Sequence, residues 1–259
     1  MNVVVCVKQI PDPAVPGELD PQTHWLKREG KLILDDSDAY GVEMALQLAT
    51  AAGGGDVILV SMAPNGETSG LRTALAMGAA SAILVSDDAL KGSDALSTAK
   101  VLAAAIKRVE GADLIITATE ATDGYTGTVP EQLAALLGLP SVTFAKKIET
   151  ADGKVKVERQ TEAGYDEVEA PLPAVVSVTA GVVEPRYPSF KGIMAAKSKP
   201  VDTLTVADLG LDGQVGAANA RQEIVSVTAA EERQAGEIVE DDGEGFQKIV
   251  AFLESKKVI

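Results

Sequence analysis

Short apolar runs of strand length alternate with longer amphipathic stretches along most of the chain, and this alternation constrains the fold more than any other feature. The runs are rich in β-branched residues and contain no charged ones, which is typical of strands covered on both faces. Such runs occupy Val3 to Val7, Val57 to Ser61, Ala82 to Val85, Leu114 to Ala118 and Val175 to Val178. The pattern predicts an α/β fold with a mostly parallel sheet and helices on both faces.

The stretches between these runs have helical periodicity. Apolar residues recur at i, i+3, i+4 and i+7 from Val42 to Ala49 and again from Leu71 to Gly78. A third helix is predicted from Ser93, taken as its N-cap, to Ile106. Ligands bind at the carboxyl ends of the strands in sheets of this kind, so functional residues are expected there.

Two regions interrupt the alternation, and each contains a predicted hairpin. The segment LKREGKLIL is expected to turn at Glu29 and Gly30. Further along, Asp152 and Gly153 are expected to turn the chain between strands at Ile148 and Val155.

Composition argues against several classes of function. A net charge of −15 and an aromatic content of 3% disfavour a nucleic-acid partner, which needs clustered cations and stacking platforms. The single Cys6 and single His24 form neither an internal disulfide nor a four-ligand zinc site. Apolar runs stay well short of the roughly 20 residues that span a bilayer. A cytoplasmic protein without membrane insertion is the expectation.

The C-terminal region has a different character. After Pro200 the chain becomes polar and acidic, until apolar residues at helical spacing return from Phe246 to Leu253. We therefore expect an α/β domain over residues 1–206 and a C-terminal arm with an amphipathic helix over residues 207–259. An arm that buries little of itself suggests a partner protein, although a linker whose helix packs on its own domain explains the pattern equally well.

The segment DLIITATEATDGYTGTVPEQLAALLG reads as a strand, a loop and a helix. Gly124 and Gly127 are expected to allow positive φ and close backbone approach, Thr126 and Thr128 supply hydroxyls, and Pro130 suits the first helical turn. Amide N–H groups at such a helix start bind anions, and phosphate is the obvious one. Glycine and threonine in a strand-to-helix turn are also common for purely structural reasons.

The run from Asp35 to Asp38 precedes a predicted helix and allows three interpretations. Its carboxylates could hold a hard cation, bind a ribose hydroxyl, or cap the helix. Cys6 lies within a predicted buried strand and is expected to pack as a small apolar residue. The sequence contains no recognisable nucleophile with a paired base, which favours a binding or carrier protein over a hydrolase.

Five segments, in this order and spacing, resemble the beta subunit of electron-transfer flavoprotein. They are VVVCVKQIPD, RTALAMGA, TDGYTGTVPEQLAALLGLP, LPAVVSV and EPRYPSFKGIMAAKSKP. The resemblance covers nearly the whole chain and implies a Rossmann-like domain that pairs with an alpha subunit carrying a redox FAD. It also implies an electron carrier rather than an enzyme in its own right. The alternative from another class is an ATP-using enzyme on a related nucleotide-binding fold.

The resemblance further implies that this subunit binds an adenine nucleotide. The nucleotide is AMP in ordinary electron carriers and a second FAD in bifurcating relatives, and Tyr125 and Thr128 favour AMP because they depart from the loop of the bifurcating type. The implied binding residues are Cys6, Asp35, Asp36, Ser37, Asp38, Met62, Ala118, Asp123, Gly124, Tyr125, Thr126, Gly127, Thr128 and Val129.

A second implied site docks other proteins. Pro188 and Gly192 discourage regular structure, so Phe190 between them is expected on a projecting loop as an apolar anchor. Composition alone would favour a phenylalanine in the core. Lys191, Lys197 and Lys199 are expected to form a basic rim. The implied partners are acyl-CoA or other flavin dehydrogenases of fatty acid β-oxidation and a quinone oxidoreductase that passes electrons toward the respiratory chain.

Overall fold

A nine-stranded sheet forms the centre of Met1–Ile224, the first of two units into which the chain separates. The structure, a computed structural model, describes residues 1–228, 230, 236–240 and 243–259. Eleven strands are present in the described chain: β1 (Asn2–Cys6), β2 (Gln9–Pro11), β3 (Leu32–Leu34), β4 (Val57–Met62), β5 (Ser81–Val85), β6 (Ala112–Ala118), β7 (Ser141–Ala151), β8 (Lys154–Thr161), β9 (Gly164–Pro171), β10 (Ala174–Val178) and β11 (Val201–Leu204).

The helices of the first unit lie on both faces of the sheet, as the alternation predicts. The helix bounds are α1 (Asp36–Ala51), α2 (Ser69–Met77), α3 (Ala95–Ile106), α4 (Val129–Leu137), α5 (Phe190–Ala196) and, in the second unit, α6 (Gly245–Ser255). One apolar layer joins the sheet to α1 and α2, and the other joins it to α3 and α4. The Rossmann-like α/β fold expected from the sequence is therefore confirmed.

The strand order is β11-β5-β4-β1-β6-β10-β7-β8-β9. Pairing is parallel from β11 through β7, and β8 and β9 then add antiparallel strands at one edge. Asp152 and Gly153 turn the chain between β7 and β8 with φ of 51° and 72°, which confirms the predicted hairpin. Cross-strand ion pairs join β8 and β9: Lys154–Glu169, Lys156–Glu167 and Arg159–Asp166.

The other predicted hairpin is wrong. The chain does bend at Gly30, where φ is 94°, but β3 pairs with β2, placing Ile10 opposite Ile33. This long-range pairing buries Leu32 and Leu34 beside α2, which a local hairpin of charged residues would leave exposed.

The N-cap of α3 is Asp94, and the assignment of Ser93 is wrong. The Asp94 carboxylate accepts from the amide of Ser97 at 2.8 Å, whereas the Ser93 hydroxyl donates to the Leu90 carbonyl at 2.7 Å. A carboxylate suits the positive end of the helix dipole better than a hydroxyl does.

The first unit continues to Ile224, beyond residue 206, where the sequence suggests a boundary. The polar composition after Pro200 conceals an edge strand, β11, and a following segment that buries Val206 and Val215. In the second unit, the predicted terminal helix is present as α6 and exposes Phe246, Ile249 and Phe252. Positions 229, 231–235 and 241–242 of the predicted arm lie outside the described residues. No helix in the described part of the chain is both long enough and apolar enough to cross a membrane.

Candidate functional site

The carboxyl ends of β1, β4 and β6 meet at one edge of the sheet and bring together three predicted positions. Cys6, Met62 and Ala118 are the last residues of these strands. Cys6, Met62 and Val129 of α4 also pack against the same apolar cluster on the α3 and α4 side. Burial and then the negative charge of Asp38 raise the pKa of the Cys6 thiol to about 12, so the thiol stays protonated. The thiol therefore packs as a small apolar group and does not act as a nucleophile.

Two carboxylates of the 35–38 run fasten the neighbouring loops. Asp35 accepts from the amide of Thr122 at 2.8 Å and from its hydroxyl at 3.1 Å, and it also caps α1 through the amide of Ser37. Asp38 accepts from the amide of Lys8 at 2.6 Å. Of the three interpretations, capping is confirmed for Asp35, while Asp36 is exposed and Ser37 half-buried. Within the described ranges, no group of three or more His, Cys, Asp or Glu side chains has the arrangement of a metal site.

Asp38 is a buried acid whose surroundings favour the protonated form. Burial raises its pKa well above the usual range, the Lys8 amide opposes that rise, and the negative charge of Asp35 adds to it.

Asp123 is the junction between the candidate nucleotide loop, residues 119–128, and two cations. Its side chain is only 5% exposed; Lys8 Nζ lies 2.7 Å from one oxygen and the Arg28 guanidinium bonds the other. Burial would raise the pKa of Asp123, but the charges of Lys8 and Arg28 outweigh it and hold the pKa below its usual value. Sequence reasoning missed Lys8 and Arg28. Lys8 follows the first apolar run and Arg28 lies in the segment LKREGKLIL, and neither position marks a binding residue.

The nucleotide loop combines backbone donors with the exposed carboxylate of Glu120, whose Oε2 would lie 3.4 Å from a Cβ at Gly127. The amides of Thr126, Gly127 and Thr128 find no acceptor among the residues that the structure describes, and the Thr128 side chain does not cap α4. Pro130 occupies the first turn, as predicted. Free amides at the start of a helix, with two cations nearby, form a geometry that accepts phosphate oxygens.

One expectation about this loop is wrong in detail. Gly127 has a φ of 66°, but the second left-handed residue is Tyr125, with a φ of 48°, and Gly124 is not in that region. The space around a Cβ at Gly124 is open, so this glycine is not required by the loop's own packing. The Tyr125 ring is exposed, so side-chain packing does not hold the residue in this conformation. Its amide donates to the Ala121 carbonyl at 2.9 Å, and this hydrogen bond within the loop holds it there.

The predicted docking residue is exposed but does not lie on an irregular loop. Phe190 is 80% exposed and begins the short helix α5, whose N-cap Ser189 accepts from the amide of Gly192 at 3.0 Å. The serine cap compensates for the glycine and starts the helix after Pro188. Apolar side chains continue from Tyr187 through Phe190 to the exposed faces of Ile193 and Met194.

The basic rim is smaller than expected. Lys191 and Lys197 are exposed, but the Lys199 ammonium turns inward and donates to two backbone carbonyls of the α2 region. A shallow groove of about 510 Å³ lies beside α5 and is lined by Arg72, Thr73 and Ile193 among others. Helix α5 packs with α2 on one face of the sheet, whereas the nucleotide loop leads into α4 on the other face.

Comparison with known proteins covers both sites. The electron transfer flavoprotein domain matches residues 23–209. Proteins named electron transfer flavoprotein subunit beta from Mycobacterium tuberculosis H37Rv and Mycobacterium bovis are each 42% identical over 264 residues, spanning 100% of this chain and 99% of theirs. The caffeyl-CoA reductase-Etf complex subunit CarD of Acetobacterium woodii is 38% identical, with 85% of this chain and 84% of CarD aligned. From fold, site and full-length similarity together, the chain belongs to the electron transfer flavoprotein subunit beta family.

Proposed function

We propose that this chain is one half of a heterodimeric electron carrier that accepts electrons from flavin dehydrogenases, such as acyl-CoA dehydrogenases, and delivers them to a quinone oxidoreductase. Its own role is to bind AMP, assemble with an alpha subunit and dock the dehydrogenase. The family name supports a flavin in the complex. FAD held mainly by the alpha subunit would supply the redox chemistry.

The nucleotide loop is the observation that carries the AMP assignment. Three amides without an internal acceptor lie where the loop enters α4, and Lys8 and Arg28 pair with Asp123 of the same loop, which leaves that cluster with one net positive charge. Each charge-assisted hydrogen bond to a phosphate contributes roughly 1.5–3 kcal/mol. The chain is acidic, but salt screens surface charges beyond a Debye length of about 8 Å. Distant carboxylates therefore oppose phosphate binding only weakly.

The exposed apolar face of α6 supports the alpha-subunit partnership. Phe246, Ile249 and Phe252 share a short helix and are all more than half exposed. A helix with such a face gains by covering it with a partner. Deleting residues 236–259 should weaken association of the two purified subunits by at least tenfold in light scattering. An undiminished association would remove α6 from the interface.

Acid extraction of the co-purified heterodimer tests the cofactor assignment. We expect one FAD and one AMP per heterodimer, with the flavin spectrum lost when the alpha subunit is omitted and AMP retained by the beta subunit. Two FAD and no AMP per heterodimer would contradict the assignment.

That contrary outcome defines the second candidate, a bifurcating subunit with FAD in place of AMP. The similarity to CarD, named as a subunit of a caffeyl-CoA reductase-Etf complex, supports a complex dedicated to one reductase. The exposed Tyr125 and Thr128 in the nucleotide loop are our reason for placing AMP first.

A further inference from the structure

Helices α2 and α5 are joined by a reciprocal exchange of cations and carbonyls. Arg72 of α2 donates from Nη1 to the carbonyls of Ala196 and Lys199, at 2.7 and 2.8 Å. Lys199, just after α5, donates from Nζ to the carbonyls of Leu75 and Ala79, at 2.9 and 2.6 Å. Each cation thus satisfies backbone groups of the other element.

Two of these four carbonyls lie at helix ends and the other two just beyond them; that of Leu75 also accepts from the Gly78 amide at 3.2 Å. Leu75 lies in the last turn of α2, and Ala196 is the last residue of α5. Carbonyls at a helix C-terminus lack intrahelical donors and carry the negative end of the dipole, so a cation is the favoured partner. Partial burial lowers the pKa of Lys199, in keeping with an ammonium that is turned toward the protein.

Two further contacts hold the same segment. A Cβ added at Gly192 would lie 2.4 Å from the carbonyl oxygen of Ala76, so α5 approaches α2 as closely as backbone allows. Upstream, Arg186 pairs with the buried Glu43 of α1 through Nε at 2.6 Å and Nη2 at 2.9 Å. The segment from Arg186 to Lys199 is therefore fastened on its inner side at both ends.

The outer side of the same segment carries the exposed apolar side chains. We propose that Arg72 and Lys199 are positioning residues for docking, which fix α5 against α2 so that Phe190 meets the partner dehydrogenase in one orientation. The inference rests on the proposed docking function of Phe190. A side chain held in its bound orientation avoids an ordering cost at association, so the expected effect is on affinity for the partner.

The test measures electron transfer to the heterodimer from an acyl-CoA dehydrogenase of the same organism, with KM for the heterodimer and kcat determined separately. Lys199→Met should raise KM roughly fivefold to tenfold and leave kcat within about twofold, a smaller effect than loss of an anchor, which is about 30-fold. The matched control is Lys107→Met, because Lys107 Nζ also donates to a helix carbonyl, that of Leu136, on the opposite face of the sheet. The control should leave KM unchanged.

A double-mutant cycle separates positioning from general destabilisation. If Lys199 acts through Phe190, adding Lys199→Met to Phe190→Ala should change KM by less than twofold, although the melting temperature still falls. An equal rise of KM in both backgrounds, or no rise in either, would overturn the inference. Should Lys199→Met fail to fold, Arg72→Lys keeps the charge but loses the reach to two carbonyls, and it enters the same cycle.

The outcomes distinguish this inference from the proposed function. If Phe190→Ala raises KM but Lys199→Met and Arg72→Lys do not, positioning alone is wrong. If Phe190→Ala leaves KM unchanged, docking through α5 is wrong and the positioning role falls with it.

Discussion

The nucleotide loop and the docking helix α5 are held in place by charges of opposite sign. At the loop, the carboxylate of Asp35 accepts from the amide and the hydroxyl of Thr122. At α5, the cations of Arg72 and Lys199 donate to backbone carbonyls. In both places a charged side chain forms hydrogen bonds with the backbone of a neighbouring segment. The groups that we propose for ligand or partner binding belong to the segment held in this way.

The difference lies in what each region offers. The loop offers backbone amides, which must remain unbonded and close to the surface, so it needs open space at Gly124 and a left-handed turn at Gly127. The helix offers side chains, which need only a rigid base. We therefore expect substitutions at the loop to change nucleotide binding and substitutions at α5 to change docking, with little exchange between the two.

The largest expected effect is that of removing the carboxylate that joins the loop to α1. Asp35→Ala loses the bonds to Thr122 and the cap at Ser37, and should lower the free energy of unfolding by about 3 kcal/mol and release AMP. Urea denaturation and nucleotide extraction measure the two effects. Asp94→Ala is the control, because it removes a cap from α3 away from the loop; it should cost stability and retain AMP.

Gly124→Val should weaken AMP binding about tenfold to a hundredfold, since its side chain would enter open space that we assign to the ligand. Its φ is not left-handed, so the fold should be nearly unaffected. Isothermal titration with AMP measures the affinity. Gly127→Ala and Gly210→Ala form a second pair, because both glycines have a φ of 66° and only Gly127 lies in the loop. Equal AMP affinity in Gly124→Val and the parent protein would place the phosphate elsewhere.

Phe190→Ala should reduce affinity for the dehydrogenase about 30-fold, or 2 kcal/mol, while AMP content and melting temperature stay nearly constant. Surface plasmon resonance with the immobilised dehydrogenase measures this. Tyr165→Ala removes another exposed aromatic side chain, from β9, and should bind normally. A loss of several degrees in melting temperature with normal binding would instead assign Phe190 a structural role.

The smallest effect concerns the two buried acids and pH. The pKa of Asp38 is raised in the folded state, so its contribution is full below its unfolded pKa and is lost as pH rises toward the folded value. The pKa of Asp123 is lowered, so its contribution is present above its unfolded pKa and is lost as pH falls. Asp38→Asn should gain stability relative to the parent as pH increases from 5 to 8, in urea denaturation. A difference independent of pH would show that Asp38 does not titrate in that range.

Most of the fold could be predicted from the sequence because its strands and helices have characteristic patterns within short stretches of the chain. The runs at Val3 and Val57 and the spacing after Val42 depend on neighbours within a few residues. The pairing of β2 with β3 could not be predicted, since it depends on which distant strand buries Leu32.

The candidate site divides in the same way. Asp35 could be recognised as a cap from its position before α1, but its bond to Thr122 joins residues far apart in the chain. Lys199 reads as a surface cation from its neighbours, and only the packing of α5 on α2 turns it inward. The resemblance to a family supplied residue positions that local chemistry did not single out, Met62 above all.

The ion pairs along β8 and β9 affect how readily two copies of the protein associate through the edge of the sheet. Strand β9 ends the sheet, and its free edge could template the addition of a further strand from another molecule. Asp166, Glu167 and Glu169 lie along that strand and pair with Lys154, Lys156 and Arg159 of β8, so a second copy aligning there would meet a row of charged side chains. The charged side chains thereby make this edge less favourable for the addition of a strand from a second copy.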